Sequence, residues 1–244
     1  MKLTAHRGVK SLAPENTLSA VKKAAELGIE WIEVDVQCTA EGVAVVFHDR
    51  VLGRCTDGSG VLSETHWEQL ARLDAGSWFG EEYVGERVPA FEQLLTHARQ
   101  LGLAVNVEIK CYRETDVEAL CAEIIAVVER VGLPESHLLV SSFSREALAY
   151  CMEHIPSVRR GILYETLPEN WEEDLRLQPY SIHCNHETLT KAQAAEVKAR
   201  GLELQCFTVN SPARTLQLES WGVDRIITDC PQMLAPVQES SLTA

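Results

Sequence analysis

The sequence has little that would place the protein in a membrane or outside the cell. Its N-terminal residues lack the apolar core of about 7–15 residues that a signal peptide needs. No run approaches the roughly 20 apolar residues of a membrane-spanning helix. The eight cysteines are scattered without a C-x-x-C pair, which is typical of buried thiols. We therefore expect a cytoplasmic protein with no integral membrane segment, and the sequence leaves its oligomeric state unknown.

Positive charge is scarce as well. The chain has 22 lysines and arginines against 36 aspartates and glutamates, which gives a formal net charge of −14. Nucleic acid binding needs a basic face, so this balance argues against a nucleic acid partner, and it also disfavours adsorption to an anionic membrane. The net charge does not exclude a small phosphate-bearing substrate, because binding of such a molecule depends on the local charge of its site rather than on the total charge of the protein.

The sequence does contain a regular alternation of strand-like and helical stretches. Several predicted helices end in a glycine followed by an apolar residue, as in Leu27-Gly28-Ile29 and Leu101-Gly102-Leu103. About nine strands are predicted, near residues 2–6, 31–37, 43–48, 104–109, 138–142, 159–163, 180–184, 204–209 and 224–228. Because most of them are separated by a helix, the pattern predicts an α/β fold with a parallel sheet.

Eight parallel strands over this length favour a (β/α)8 barrel, with residues 43–48 as the second strand of an opening hairpin. An open, doubly wound sheet is the alternative, but no G-x-G-x-x-G motif follows the first strand. The 244 residues fit one barrel-sized domain or two small ones, and since no linker interrupts them we assign residues 1–244 to a single domain. Residues 49–90 break the alternation and directly follow a candidate site, which predicts an insertion at the barrel mouth.

The predicted hairpin over residues 31–48 brings charged side chains together. Glu33 and Asp35 share one face of a strand, because side chains alternate between the two faces. If the turn is centred on Glu41-Gly42, Asp35 lies opposite His48, and directly opposed residues have Cβ atoms about 5 Å apart. Two inward carboxylates repel each other unless a cation or protons neutralise them, which indicates a metal site. A polar outer face on a half-exposed strand is the simpler alternative.

Further polar side chains fall at the carboxyl ends of the predicted strands, where barrels carry their working residues. Glu108 adds a third carboxylate to the two of the hairpin, and such a set suits one divalent cation, Mg²⁺ or Ca²⁺. His6 adds a second imidazole. Arg7 and Lys110 could bind phosphate, or could simply pair with the carboxylates in a structural network. Three aspartates are candidates to orient a histidine, and the sequence does not choose among them: Asp35, Asp49 and Asp57.

Several short motifs, each different from the others, follow one another along the chain. They are His6-Arg-Gly, Pro14-Glu-Asn-Thr17, Glu33-Val-Asp35, His48-Asp49 with Leu52-x-Arg54-x-Thr56, Asp74-Ala-Gly-Ser-Trp78, Glu108-Ile-Lys110, Ser141-Ser-Phe143, Thr208-Val-Asn210 and Ile227-Thr-Asp229. In order and spacing the chain resembles the glycerophosphodiester phosphodiesterases, most closely the short bacterial cytosolic members. The resemblance implies a TIM barrel of the phospholipase-C-like phosphodiesterase type, with a small insertion after the hairpin.

The resemblance also implies a reaction. Glycerophosphodiesters would be hydrolysed to sn-glycerol 3-phosphate and an alcohol through a cyclic glycerol phosphate. Matching motifs assign seven roles: the cation ligands Glu33, Asp35 and Glu108, the acid/base pair His6 and His48, and the phosphate contacts Arg7 and Lys110. Of the pair, His6 is assigned as the base and His48 as the acid. One departure is Phe207, where the family often has Trp or Tyr before Thr-Val-Asn, and this bears on the preferred alcohol.

Two other functions fit the same scaffold. A related phosphodiesterase could act on lysophospholipid or phosphoinositide, but the sequence shows no long apolar approach surface and no basic membrane-facing run. A non-enzymatic binding protein would tolerate the loss of a histidine or a carboxylate, whereas here all the matched chemical residues are present. Assays with a panel of substrates distinguish the first alternative from a glycerophosphodiester phosphodiesterase. Turnover of any phosphate ester rules out the second.

Overall fold

Eight parallel strands close into a barrel in a computed structural model, which describes residues 1–234. The last ten residues of the predicted domain therefore lie outside the described residues. The nine strands are β1 (Lys2–His6), β2 (Trp31–Cys38), β3 (Ala44–Val46), β4 (Ala104–Ile109), β5 (Leu138–Ser142), β6 (Arg159–Tyr164), β7 (Ser181–Asn185), β8 (Glu203–Phe207) and β9 (Arg225–Thr228). Strand β1 closes the barrel because it pairs in parallel with both β9 and β2. The predicted barrel is confirmed, and the open sheet is wrong.

Helices cross over between most of the barrel strands. They are α1 (Leu18–Glu26), α2 (Trp67–Leu70), α3 (Phe91–Gln100), α4 (Val117–Val131), α5 (Arg145–His154), α6 (Lys191–Ala199), α7 (Pro212–Ser220) and α8 (Pro231–Leu234). The crossover from β6 to β7 is instead a 3₁₀ helix, Trp171–Leu177. Side-chain oxygens cap five helix N-termini: Thr17, Asp116, Ser144, Thr190 and Ser211. Within residues 1–234, no helix is both long and apolar enough to cross a membrane.

The hairpin of β2 and β3 is antiparallel, as predicted, but its register differs by one residue from the predicted one. Val36 pairs with Val46, and the amide of Phe47 donates to the carbonyl of Asp35 at 3.0 Å. Asp35 therefore faces Phe47, so its predicted pairing with His48 is wrong. The cause is a three-residue loop, residues 40–42, whose last residue Gly42 has φ +88° and shifts the centre of the turn by half a residue.

The apolar core lies between the barrel and its helices. Outward side chains of β2, among them Ile32, Val34 and Val36, pack with α1, α3 and α4 in one cluster. A second cluster covers the other half of the barrel, from Ile162 to Ile226. Alternation along β2 then turns Glu33 and Asp35 inward, as its pattern predicted.

Residues 49–90 form a layer with its own apolar cluster and little regular structure. This layer holds α2 and three short 3₁₀ helices, Leu52–Arg54, Leu62–Glu64 and Glu81–Tyr83. Its cluster includes Leu52, Leu62 and Leu70, packed against Val45 and Phe47 from the hairpin side. The layer is therefore attached to β3, the outer strand of the hairpin, which precedes His48.

One inward histidine lies deep inside the barrel. His183 is 0% exposed, and its Nε2 lies 2.8 Å from Ser181 Oγ. Burial lowers the pKa of His183 to about 3, so its ring is neutral at physiological pH. The ring occupies the space over Gly161 on the neighbouring strand, where a Cβ would lie 2.6 Å from His183 Nε2.

We expect Gly161→Ala to destabilise the fold by about 1–3 kcal/mol, because an added methyl would overpack a barrel interior that cannot move aside. Gly53→Ala is the matched control, since its Cβ would meet only Gly58 O at 3.6 Å. Urea denaturation measures both variants. Equal unfolding midpoints for Gly161→Ala and wild type would contradict the close packing of His183.

Candidate active site

The first strand ends in an unusual backbone that turns Arg7 into the barrel mouth. Arg7 has φ 54° and Gly8 has φ +74°, so two successive residues occupy the left-handed region. Only glycine fits the second position, because a Cβ on Gly8 would lie 2.6 Å from the backbone of Ala20. The amide of Arg7 donates to Glu33 Oε2 at 3.1 Å. Strain of this kind in a non-glycine residue is typical of functional sites.

Three carboxylates converge just inside the mouth. Glu33, Asp35 and Glu108 each offer an oxygen within 4.8 Å of the other two. Strand register brings them together, because Asp35 is the direct partner of Glu108 in the parallel pairing of β2 with β4. Asn16, another left-handed residue at φ 59°, holds Asp35 through its Nδ2, which donates to Asp35 Oδ2 at 2.9 Å.

The electrostatics of this cluster favour an added cation. Burial raises the pKa of Glu33 well above its ordinary value, and the charges of Asp35 and Glu108 raise it further. Burial and the charge of Asp35 likewise raise the pKa of Glu108. Burial alone would raise the pKa of Asp35 too, but Arg7 and Lys110 outweigh it and hold that pKa below its usual range. The two cationic side chains thus leave part of the buried negative charge uncompensated.

Arg7 and Lys110 both pair with the cluster, as the structural interpretation of these residues anticipated. Lys110 Nζ lies 2.7 Å from Glu108 Oε1 and 3.5 Å from Asp35 Oδ1. Arg7 Nε lies 3.2 Å from Asp35 Oδ2, while its Nη1 lies 2.6 Å from Glu15 Oε1. Both cations lie at the carboxyl ends of their strands, where a bound phosphate would meet them.

His6 is held by an acid from the opposite end of the chain. His6 Nδ1 lies 2.6 Å from Asp229 Oδ1, and His6 Nε2 lies 3.8 Å from Glu33 Oε2. Asn210 Nδ2 donates to the other oxygen of Asp229 at 2.8 Å, which fixes the carboxylate. Burial lowers the pKa of His6, although the hydrogen bond to Asp229 opposes the effect. This arrangement leaves Nε2 as the atom that faces the carboxylates.

His48 is held in the same way from the hairpin side. Its Nδ1 lies 2.7 Å from Asp49 Oδ1. Its backbone is fixed by two neighbours: Tyr112 Oη donates to His48 O at 2.5 Å, and Gln37 Nε2 donates to Asp49 O at 2.9 Å. Burial lowers the pKa of His48, and the charge of Asp35 opposes this. Since strand β3 ends at Val46, His48 lies beyond the regular ladder, and these contacts place it at the mouth.

The donor set fits a hard divalent cation. Within residues 1–234, Glu33 Oε1 and Asp35 Oδ1 are buried and accept no hydrogen bond, although Lys110 Nζ lies 3.5 Å from Asp35 Oδ1. Buried oxygens without partners are costly, by about 1–3 kcal/mol each, unless something else occupies their lone pairs. Three carboxylates without cysteine or histidine in the set match the oxygen preference of Mg²⁺ and Ca²⁺.

Known proteins are similar to this chain in sequence and in fold. A model of the glycerophosphoryl diester phosphodiesterase family matches residues 6–233. The chain belongs to this family. It is 34% identical over 231 residues to a glycerophosphodiester phosphodiesterase of Caldanaerobacter subterraneus, covering 94% of each chain. It is also 31% identical to one from Bacillus altitudinis, covering 98% of each.

A solved structure extends the likeness to three dimensions. It is an Oleispira antarctica phosphodiesterase in complex with the product sn-glycerol-3-phosphate, with a TM-score of 0.91 and 34% sequence identity. The match covers 96% of this chain and 95% of that one. The chain is accordingly a phosphoric diester hydrolase with glycerophosphodiester phosphodiesterase activity. This assignment contradicts the non-enzymatic alternative.

All seven residues predicted for this phosphodiesterase site meet at one end of the barrel. Sequence reasoning did not assign roles to Glu15, Asn16, Arg54 or Asp229, although each lies in a quoted motif. Among the three aspartates considered for a histidine, Asp49 contacts His48, whereas Asp57 accepts from the amide of Asp74 at 2.8 Å. The acid that orients His6 is Asp229, which directly follows β9. Its position at the carboxyl end of a strand is the feature of the sequence that could have predicted this role.

Two aromatic rings line the same end. Phe143 and Phe207 meet edge to face with centroids 6.1 Å apart, and Phe143 is 39% exposed. Phe207 ends strand β8, directly before the motif Thr208-Val-Asn210. With no hydroxyl or indole N–H, this pair offers an apolar wall without a hydrogen-bond donor.

We expect added Mg²⁺ or Ca²⁺ to raise the melting temperature of the wild type, because a ligand at 100 times its Kd stabilises by about 2.7 kcal/mol. Glu108→Gln should lose this gain. Glu33→Gln should lose it too, yet melt no lower than wild type without cation, since it removes a buried charge that its neighbours repel. Glu68→Gln, which changes an exposed side chain that pairs with Arg72 and not with the cluster, is the control.

Thermal unfolding with a chelator and then with each cation makes the measurement. A gain in Glu108→Gln as large as in wild type would place the cation elsewhere.

Proposed function

We propose that this chain hydrolyses glycerophosphodiesters to sn-glycerol 3-phosphate and an alcohol, with one divalent cation and a pair of acid/base histidines. The observation that carries the proposal is that each histidine contacts an aspartate of its own, and that both histidines lie beside the carboxylate cluster of Glu33, Asp35 and Glu108. His6 rests on Asp229 and His48 on Asp49, at 2.6 Å and 2.7 Å. Two imidazoles held this way can occupy opposite protonation states near neutral pH.

The cation would be held by Glu33, Asp35 and Glu108. When bound, a divalent cation would withdraw electron density from a phosphoryl oxygen and make a coordinated hydroxyl more acidic. The support for this assignment is that Glu33 Oε1 and Asp35 Oδ1 accept no hydrogen bond from the described residues, and that the pKa of Glu33 is raised. Mg²⁺ and Ca²⁺ both suit such oxygens, so the metal stability measurement includes each.

Arg7 and Lys110 would bind the substrate phosphate. Arg7 offers a fork that is already anchored through Nη1, and Lys110 offers a point charge with 14% of its side chain exposed. Their carboxylate partners keep both groups charged, because Asp35 raises the pKa of each despite burial. Anchoring also fixes the phosphorus relative to the two histidines, which favours an in-line geometry.

The histidines would then move protons in two steps. In the first, the glycerol hydroxyl attacks phosphorus, His6 Nε2 takes its proton, and His48 Nε2 protonates the departing alcohol oxygen. This step yields a cyclic glycerol phosphate. In the second, His48 takes a proton from water, water attacks phosphorus, and His6 returns a proton to the glycerol oxygen. Asp229 and Asp49 would stabilise each imidazolium while it is charged.

The side of the phosphorus that is cleaved follows from this assignment. An attacking glycerol hydroxyl leaves phosphate on glycerol, which agrees with the sn-glycerol-3-phosphate held by the Oleispira antarctica phosphodiesterase. Some similar proteins are named glycerophosphoinositol inositolphosphodiesterases. The mouse protein of that name is 27% identical to this chain, which spans 47% of its length. Product identity, and not substrate loss alone, is therefore the decisive readout.

We also propose that residues 1–244 act as a single domain, with residues 49–90 as its insertion. The support is that strand pairing runs without a break from Lys2 to Thr228, and that the apolar cluster of the insertion includes Phe47 of the hairpin.

His6→Ala and His48→Ala should each lower kcat on glycerophosphocholine by about 10²–10⁴-fold, the usual range for one general acid or base. His66→Ala, which changes an exposed histidine of the insertion, should keep wild-type activity. The assay follows release of sn-glycerol 3-phosphate and identifies the alcohol. Near wild-type kcat in either active-site variant would overturn the pair, and release of glycerol with a phosphorylated alcohol would overturn the proposed cleavage.

A further inference from the structure

A single guanidinium joins the two halves of the site. Arg54 ends the 3₁₀ helix Leu52–Arg54 in the insertion. On one side its Nε lies 2.5 Å from Asp49 Oδ2 and its Nη2 lies 3.1 Å from Asp49 Oδ1. On the other side its Nη1 and Nη2 lie 2.9 Å and 2.6 Å from the two oxygens of Glu15. Arg54 therefore binds two carboxylates, each through two nitrogens.

Each of these carboxylates holds a residue of the proposed machinery. Asp49 Oδ1 lies 2.7 Å from His48 Nδ1, and Glu15 Oε1 lies 2.6 Å from Arg7 Nη1. A continuous chain of contacts thus runs from His48 through Asp49, Arg54 and Glu15 to Arg7. In the described part of the chain, Arg54 is the side chain that pairs with both carboxylates.

Burial makes this link more than a surface ion pair. The Glu15 side chain is 6% exposed and the Asp49 side chain 19%, whereas Arg54 is 46% exposed. Exposed pairs contribute little by themselves, but a bidentate arginine also fixes direction. A charged neighbour keeps Asp49 as an acceptor, and an acceptor at Nδ1 requires the proton of a neutral His48 to sit there. Nε2 is then left for proton transfer at the mouth.

We propose that Arg54 is a positioning residue for the leaving-group side of the reaction. It holds Asp49 against His48, so that this histidine presents Nε2 to the departing alcohol, and it ties that histidine to the phosphate contact Arg7. The inference rests on the proposed role of His48 as general acid. It makes the insertion part of the reaction site, through one residue that touches neither substrate nor cation.

The test compares two leaving groups in the same protein preparation. Choline needs a proton as it leaves, whereas 4-nitrophenol is acidic enough to leave as its anion. The rate measured is release of the leaving group in a single turnover, because His48 also acts as the base of the second step and only the first step depends on its role as acid. Arg54→Gln should lower this rate for choline from glycerophosphocholine by about 10- to 100-fold, somewhat less than the loss of a general acid itself. For 4-nitrophenol from the 4-nitrophenyl ester of glycerol phosphate, the same variant should lose less than about threefold. The ratio of the two rates does not depend on how much of the protein is folded.

Two further variants sharpen the comparison. Arg72→Gln removes an exposed arginine of the same insertion, paired with Glu68, and should leave both rates unchanged. Arg54→Lys keeps the charge without the fork and should restore part of the choline rate. His48→Gln supplies the reference ratio for complete loss of the acid.

The outcomes separate the inference from the function it rests on. The positioning role of Arg54 is overturned if Arg54→Gln slows the reaction of both esters equally, or if it behaves as Arg72→Gln does. In that case, a larger loss on the choline ester in His48→Gln still upholds the general acid. Equal slowing of both esters in His48→Gln itself overturns the general acid, and the role of Arg54 with it.

Discussion

Three carboxylates share a small volume inside the barrel, and their mutual repulsion governs the surrounding structure. Glu33, Asp35 and Glu108 lie within 4.8 Å of one another, and Glu33 and Asp35 are almost wholly buried. Arg7 and Lys110 supply positive charge, and the left-handed turn at Arg7 aims its guanidinium at Asp35. The charge that stays uncompensated is what makes the cluster a candidate for a divalent cation.

Around this cluster, the groups proposed to transfer protons are supplied by distant parts of the chain. His6 and its acid Asp229 are 223 residues apart, and closure of the barrel between the first and last strands brings them together. His48 and Asp49 come instead from a hairpin that is folded against the insertion. The barrel thus supplies rigid positions, while the insertion holds one histidine through Asp49 and Arg54.

Local periodicity was enough to predict the cluster but not its supports. Alternation along β2 placed Glu33 and Asp35 inward, and the position of Glu108 at a strand end added the third carboxylate. The register of the hairpin was wrong by one residue, because a three-residue loop replaced the assumed two-residue turn. Arg54 contacts Glu15, which lies 39 residues away in the sequence, because the insertion folds back over the barrel mouth. No periodicity or motif spacing in the sequence predicts a contact of this kind.

The most direct test of the account is the location of the cation itself. Crystals grown with Mn²⁺, which scatters anomalously and accepts the same oxygen ligands, would show its position without any assumption about activity. We predict one anomalous peak in contact with carboxylate oxygens of Glu33, Asp35 and Glu108. A peak at other residues, or none in crystals of an enzyme that stays active after chelation, would contradict the central claim.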